Sequence, residues 1–310
     1  MANFLFIAGY LLIGLLLQRS RQFPQNTGQI LNAYVIYVAL PALVLQKIPL
    51  LELSTALVIP AVVPWLLLAL TVPLLLWCSR RFQWSRSTTG AMLIIVPVGN
   101  TSFVGFPMIE AFFGAQGIPF ALLYDQLGSF LILSIYATII AAVYSSDPGG
   151  EARRPSAWQL TKKIVTFPPF IALMVALLCR SIDYHAAVQR FIDSLAGTLV
   201  PVIMVAVGFQ LKFRLPQEDR GPLVGALLIK LVLTPLVVLG LLWPFGLEQL
   251  VVQVTLLEAA MPAMISAGAL AIMAGLAPTL AAAIVGYGIV FCFLTLPLWF
   301  WLVNQLAPIT

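Results

Sequence analysis

The stretch TTGAMLIIVPVGNTSFVGFPMIEAFF, Thr88 to Phe113, decides the fold. It is long and apolar enough to cross a bilayer, since a hydrocarbon core of about 30 Å takes roughly 20 helical residues. Its middle nevertheless crowds together Pro97, Gly99, Asn100 and, a little later, Pro107. Proline removes a backbone donor and glycine loosens the turn, so a helix running through this point is expected to break. About a dozen residues precede the break, roughly 17 Å of helix, which puts it near the midplane. Backbone groups freed at that depth are tolerated only where they line a cavity enclosed by protein.

A second stretch repeats the pattern. From Leu250 about a dozen apolar residues lead to MPAMISAGA, Met261 to Ala269, where Pro262, Ser266 and Gly268 interrupt the run and Gly268 aligns with Gly105. One mid-span proline is ordinarily a kink in a packed helix. Two matched breaks, one in each half of the chain, point instead to a pair of broken helices that meet.

The rest of the chain is built to the same plan. Of its 310 residues 61% are hydrophobic and 9% charged, with a mean hydropathy of +1.04. That leaves too little polar surface to solvate a globule in water. We read about ten helical spans at 2–17, 30–48, 54–78, 88–113, 117–144, 164–178, 191–211, 223–243, 250–274 and 279–306. The first lacks a basic start and a small-residue cleavage site, and is read as an insertion signal that is kept. Arg19, Arg80, Arg86, Arg153, Lys162, Lys163 and Lys212 are among the basic residues that follow odd-numbered spans. Only Lys47, Arg180 and Arg190 lie on the other side. This bias predicts a multi-pass inner-membrane protein with odd loops in the cytoplasm and both termini outside.

The longest hydrophilic stretch, Ser145 to Lys163, follows the fifth span. It divides the chain into a first five-helix repeat at 1–145, a cytoplasmic linker at 146–163 and a second five-helix repeat at 164–310. Five is odd, so the second copy enters the membrane from the opposite side, and the expected fold is an all-α inverted repeat of five plus five. Pro41 and Pro201, Pro119 and Pro278, and Gly128 and Gly288 recur at offsets of 159 or 160 residues.

Four segments in order, YVALPALVLQKI (Tyr37 to Ile48), GNTSFVGFPM (Gly99 to Met108), ALLYDQLGSF (Ala121 to Phe130) and LLEAAMPA (Leu256 to Ala263), resemble the auxin efflux carrier family over nearly the whole length. The resemblance implies ten helices with broken, crossing helices four and nine. It also implies a scaffold of helices 1, 2, 6 and 7, through which a homodimer would form, and a mobile transport domain of helices 3–5 and 8–10, an elevator-type carrier. By position Asn100 matches the asparagine that helps hold a substrate carboxylate in the plant members. Gly99 stands where those members usually have proline, and the residues around Glu258 differ. The long cytoplasmic loop of many plant members is missing.

The residues themselves support an anion site. Asn100, Thr101 and Ser102 open the second half of helix four and Ala263 that of helix nine, and new helix starts offer unpaired N–H groups and positive dipole ends. Asn100 could add an amide donor, or merely cap its helix; Thr101, Ser102 and Ser266 could add hydroxyls. With Gly99 and Pro262 at the breaks, these seven form the expected substrate site. Asp125, Lys230 and Glu258 lie deep in their spans, where ionisable groups are costly and face a cavity or a partner. Glu258, one turn before the second break, is the candidate for a coupling H⁺ or Na⁺. Asp125 could do likewise or pair with Lys230.

Other classes fit less well. No HExxH, GxSxG or nucleotide-binding glycine-lysine motif occurs, and His185 lies in an expected external loop, so neither an enzyme nor direct ATP drive is indicated. Cys78, Cys179 and Cys292 are isolated, without metal or redox spacing, and read as small buried hydrophobes. No cofactor is expected, and the +5 charge is explained by orientation rather than nucleic acid. Trp65, Trp77, Trp84, Trp158, Trp243, Trp299 and Trp301 are read as an interfacial belt. The partners are then the bilayer and a small organic anion, carboxylate-type, auxin-like or dicarboxylate. A cation/proton antiporter or a non-transporting receptor on the same fold are the alternatives.

Overall fold

The computed structural model describes residues 2–51, 54–145, 156–179, 184–211, 219–246 and 249–306, with side chains from residue 5 onward. Most of the expected linker, with Arg153 and Arg154, lies outside these residues, as do Arg180 and Lys212. The described residues are helical throughout, with no strand among them. Among the described residues six helices are long and apolar enough to cross a membrane: Thr27–Leu50, Thr55–Arg81, Ile118–Tyr144, Ala186–Gln210, Arg220–Phe245 and Pro278–Leu306. Shorter apolar helices run over Leu5–Gln18, Thr101–Phe113 and Leu250–Ala259. In hydrocarbon the helix is the form that satisfies its own backbone, and long apolar runs adopt it.

The span expected over 164–178 begins inside a bend, and the end of the expected linker is helical. A helix over Ala157–Val165 turns by 63° into Pro168–Leu178. Phe167 is extended, with φ −74° and ψ 118°, the conformation that a following proline imposes. Ser156 caps the incoming helix through a reciprocal box with Gln159.

Polarity is inverted relative to a water-soluble protein. Leu5, Tyr37, Leu50, Leu178, Leu294 and Leu298 are exposed, whereas Asn100, Asp125, Gln126, Lys230 and Glu258 are buried. The first helix packs on Leu199–Gln210 through two glycines. A Cβ on Gly14 would stand 2.2 Å from the Val205 carbonyl oxygen, and one on Gly208 would stand 2.1 Å from that of Leu11. Backbones approach this closely only where side chains are absent. Gln18 then closes the helix end, its Nε2 donating to the carbonyls of Phe209 and Leu211 at 2.7 and 3.1 Å.

Five short segments are wound as π-helix: Val35–Ala39, Thr101–Gly105, Asp125–Ser129, Leu133–Ala137 and Ile229–Leu233. A wide turn frees a carbonyl from its usual partner, and side chains take several of these up. Trp65 donates to Leu127 O at 2.9 Å, Trp299 to Leu231 O at 2.9 Å, Thr138 to Leu133 O at 3.2 Å and Thr234 to Ile229 O at 2.8 Å. The tryptophan reading is corrected accordingly. Trp299 is buried, while Trp65, which also ties to a neighbouring helix, and Trp77, Trp158, Trp243 and Trp301 are exposed as a belt requires. Of the cysteines only Cys292 is buried; Cys78 and Cys179 are partly exposed.

Candidate functional site

Both interrupted stretches break where the sequence places them. Arg86–Ile95 starts on a Ser85 cap and ends at Pro97, and the chain resumes as helix at Thr101. Leu250–Ala259 ends before Pro262, and the chain resumes at Ile265. The two connections lie antiparallel, with Gly99 bridged to Ala263. The Asn100 amide donates to Pro262 O at 2.7 Å and the Met264 amide to Val98 O at 3.1 Å. Pro262 at the second break and Val98, next to Pro97 at the first, provide carbonyls that no helix continuation consumes, and the partner segment satisfies each.

Beyond the crossing each chain begins a fresh helix. The first turns close with Val104 and Gly105 donating to Asn100 O and Gly268 to Met264 O. The amides of Thr101, Ser102 and Phe103, and of Ile265, Ser266 and Ala267, are therefore first-turn donors. Asn100 is 1% exposed, and neither its Nδ2 nor its Oδ1 has a hydrogen-bond partner. It occupies the cap position without capping through its side chain. An amide stranded in this way is costly unless something outside the chain completes it.

The carboxylates have separate environments. Asp125 accepts from the hydroxyls of Thr101 and Ser102 and, at 2.7 Å, from Gln126 Nε2. Those two hydroxyls, which the sequence offered to a substrate, thus already donate to a buried carboxylate. Lys230 lies instead against the crossing. A Cβ on Gly99 would stand 3.3 Å from its Nζ and 3.6 Å from the Glu258 carbonyl oxygen. Glu258 is fully buried, and neither carboxylate oxygen accepts a hydrogen bond. Its head rests on Gly105, where a Cβ would fall 2.5 and 2.8 Å from its oxygens.

Asn100, Ser102, Asp125 and Ser266 line one cavity of about 160 Å³. Thr101, Gly99, Pro262 and Ala263 support it from behind through the bridge and the Asp125 network. The sequence reading missed other parts of the wall, among them Ile36, Leu40, Phe130, Ser134, Lys163 and Phe167. Ser134 and Ile36 sit on π-turns, which apolar periodicity does not reveal. Lys163 is readable in retrospect, as a cation five residues before the paired prolines Pro168 and Pro169 but inside a capped amphipathic helix. A larger cavity, about 610 Å³, lies on the other face of Ile265–Met273 and is walled by Gln18, Gln25, Gln29 and Gln210. A third, about 190 Å³, collects Lys47, Glu110 and Asp193.

The membrane transport protein family matches residues 1–300. A transporter of Methanothermobacter thermautotrophicus, described as uncharacterized, is 27% identical over 292 residues, covering 93% of each chain. A second such transporter, from Methanocaldococcus jannaschii, is 22% identical over 287 residues, covering 90% of each. A multi-pass helical protein with a polar, bridged crossing at its centre is what such a match leads one to expect. The chain belongs to this membrane transport protein family, the auxin efflux carrier family to which its crossover segments point.

Proposed function

We propose that this protein is a secondary carrier of a small organic anion, working by alternating access in the inner membrane. The observation that carries the reading is the unpartnered, buried Asn100 amide at a crossing of two broken helices, beside first-turn amides of both. Convergent dipole ends and one amide make an anion site without a buried lysine in contact with the cargo. We take the whole chain as ten helices in an inverted five-plus-five repeat, divided at the 146–163 linker. Scaffold helices 1, 2, 6 and 7 would form the homodimer contact and carry a moving transport domain. The paired tryptophan contacts favour the repeat. Trp65 of the third expected span ties to the fifth, and Trp299 of the tenth ties to the eighth, the same pairing in reverse.

Glu258 supplies the coupling site in this scheme. A fully buried carboxylate without donors needs a proton or a cation before it can sit stably in a low-dielectric interior. H⁺ or Na⁺ meets that need, with Lys230 as the resident countercharge when neither is bound. The test is uptake of radiolabelled carboxylates into proteoliposomes, with pH, sodium and potential gradients imposed one at a time. Asn100→Ala is expected to lower the initial rate about tenfold or more, while Glu110→Ala on the far side leaves it unchanged. Unaltered uptake in Asn100→Ala would sink the site.

A second reading, a cation/proton antiporter, is favoured by one observation: Asp125 and Glu258 are both buried beside the crossing. Sodium-driven collapse of a pH gradient in vesicles without any organic anion would establish it. A receptor would bind carboxylates and move neither them nor ions.

A further inference from the structure

The cavity beside Asn100 presents a difficulty for an anion. Its deep end holds the Asp125 carboxylate, and the hydroxyls of Thr101 and Ser102 are turned toward that carboxylate. Lys230 is buried behind the crossing, against Gly99 and Glu258, and is not in the wall. Partial charges at two helix ends and one amide must then hold a full negative charge close to another. A cation in the wall would change the balance, and the wall contains Lys163.

Several features fit Lys163 to that task. It stands in the last turn of the Ser156-capped helix, just before the 63° bend. The side chain is exposed, unlike Asn100, and so lies at the mouth. Its Nζ donates to Thr138 Oγ1 at 3.3 Å, a single neutral hydroxyl that leaves other ammonium donors available. The wall also holds Phe130, stacked on Phe167 at 3.9 Å between ring centroids. A cation in the wall beside stacked aromatic rings suits a carboxylate that has an apolar body.

We infer that Lys163 is a substrate-binding residue, the cation that takes the substrate carboxylate at the mouth of the Asn100 cavity on the side the basic loops assign to the cytoplasm. The inference rests on the carboxylate-carrier reading. The ammonium exchanges Thr138 for the anion, a charge-assisted contact stronger than the one it gives up. The neighbouring Lys162 points to the same surface charge but is not in the wall.

The experiment uses the full-length protein in proteoliposomes and a probe panel of radiolabelled phenylacetate, indole-3-acetate, benzoate and malonate. Lys163→Gln is expected to raise KM for the transported probe about tenfold while kcat is kept. The parent KM should rise with ionic strength and that of Lys163→Gln should not. Lys163→Cys should behave like the glutamine variant, recover when a methanethiosulfonate adds an ethylammonium, and stay impaired when the reagent adds an ethylsulfonate. The parent protein with the same reagents controls for Cys78 and Cys179. Lys162→Gln is expected to match the parent. An unchanged KM in Lys163→Gln with uptake lost in Asn100→Ala overturns the role of Lys163 alone. Recovery with both reagents, or with neither, likewise overturns it. No transport of any probe, or full activity in Asn100→Ala, removes the carrier reading and this inference with it.

Discussion

At the scale of single residues, Gly105 and Glu258 bring the two broken stretches into contact beside the backbone bridge. The carboxylate fits because Gly105 has no side chain, and a methyl there would overlap both oxygens. Gly105→Ala is therefore expected to dislodge the carboxylate and weaken the dependence of uptake on an imposed ion gradient, with probe binding kept. Glu258→Gln, which keeps the shape and loses the charge, should abolish gradient stimulation yet leave exchange between loaded vesicles intact. Uptake in both variants that still follows the gradient would exclude Glu258 as the coupling group. Asn100, Asp125 and Glu258 were legible because each is a polar residue inside an apolar run, and hydrocarbon makes that expensive. Which donors Asp125 collects was not legible. Thr101 and Ser102 lie more than twenty residues before it, and their hydroxyls suited a substrate equally well.

At the scale of elements, the wide turns matter most. Each of the five π segments contributes a cavity residue or Lys230, so the same local widening that strands carbonyls also aims side chains inward. Trp299 offsets one such carbonyl. Trp299→Phe keeps the ring and removes the N–H, and should cost about 1 kcal/mol. In a thermal melt in detergent this is a loss of roughly 2–4 °C, with Trp77→Phe as the unaffected control. The breaks at Pro97 and Pro262 were readable from proline, glycine and counting. The π-turns were not, because an added residue in one turn leaves an apolar run apolar. The bend before Pro168 was also passed over, since the helix leading into it is amphipathic rather than hydrophobic and reads as loop.

At the scale of the whole molecule, composition made membrane residence readable without any contact being known, and the opposite sense of two halves is an expectation from charge bias that the proposed function carries. Which helices touch was beyond the sequence, because lipid-facing and protein-facing apolar residues are chemically alike. Small residues are the partial exception, and Gly14 and Gly208 mark the tightest helix pair between the halves. Gly208→Leu forces a bulky chain against the Leu11 carbonyl. It should lower the yield of monodisperse protein on size exclusion, whereas Gly225→Leu, at a position with open space around it, should not.

That glycine pair joins a helix near the start of the chain to one beyond residue 198, and Gln18 fastens it through the carbonyls of Phe209 and Leu211. Covalent continuity through 146–155 is then a convenience of synthesis. Two genes, each encoding half of the protein and expressed in one cell, should yield polypeptides that find each other in the bilayer and copurify through a tag on either one.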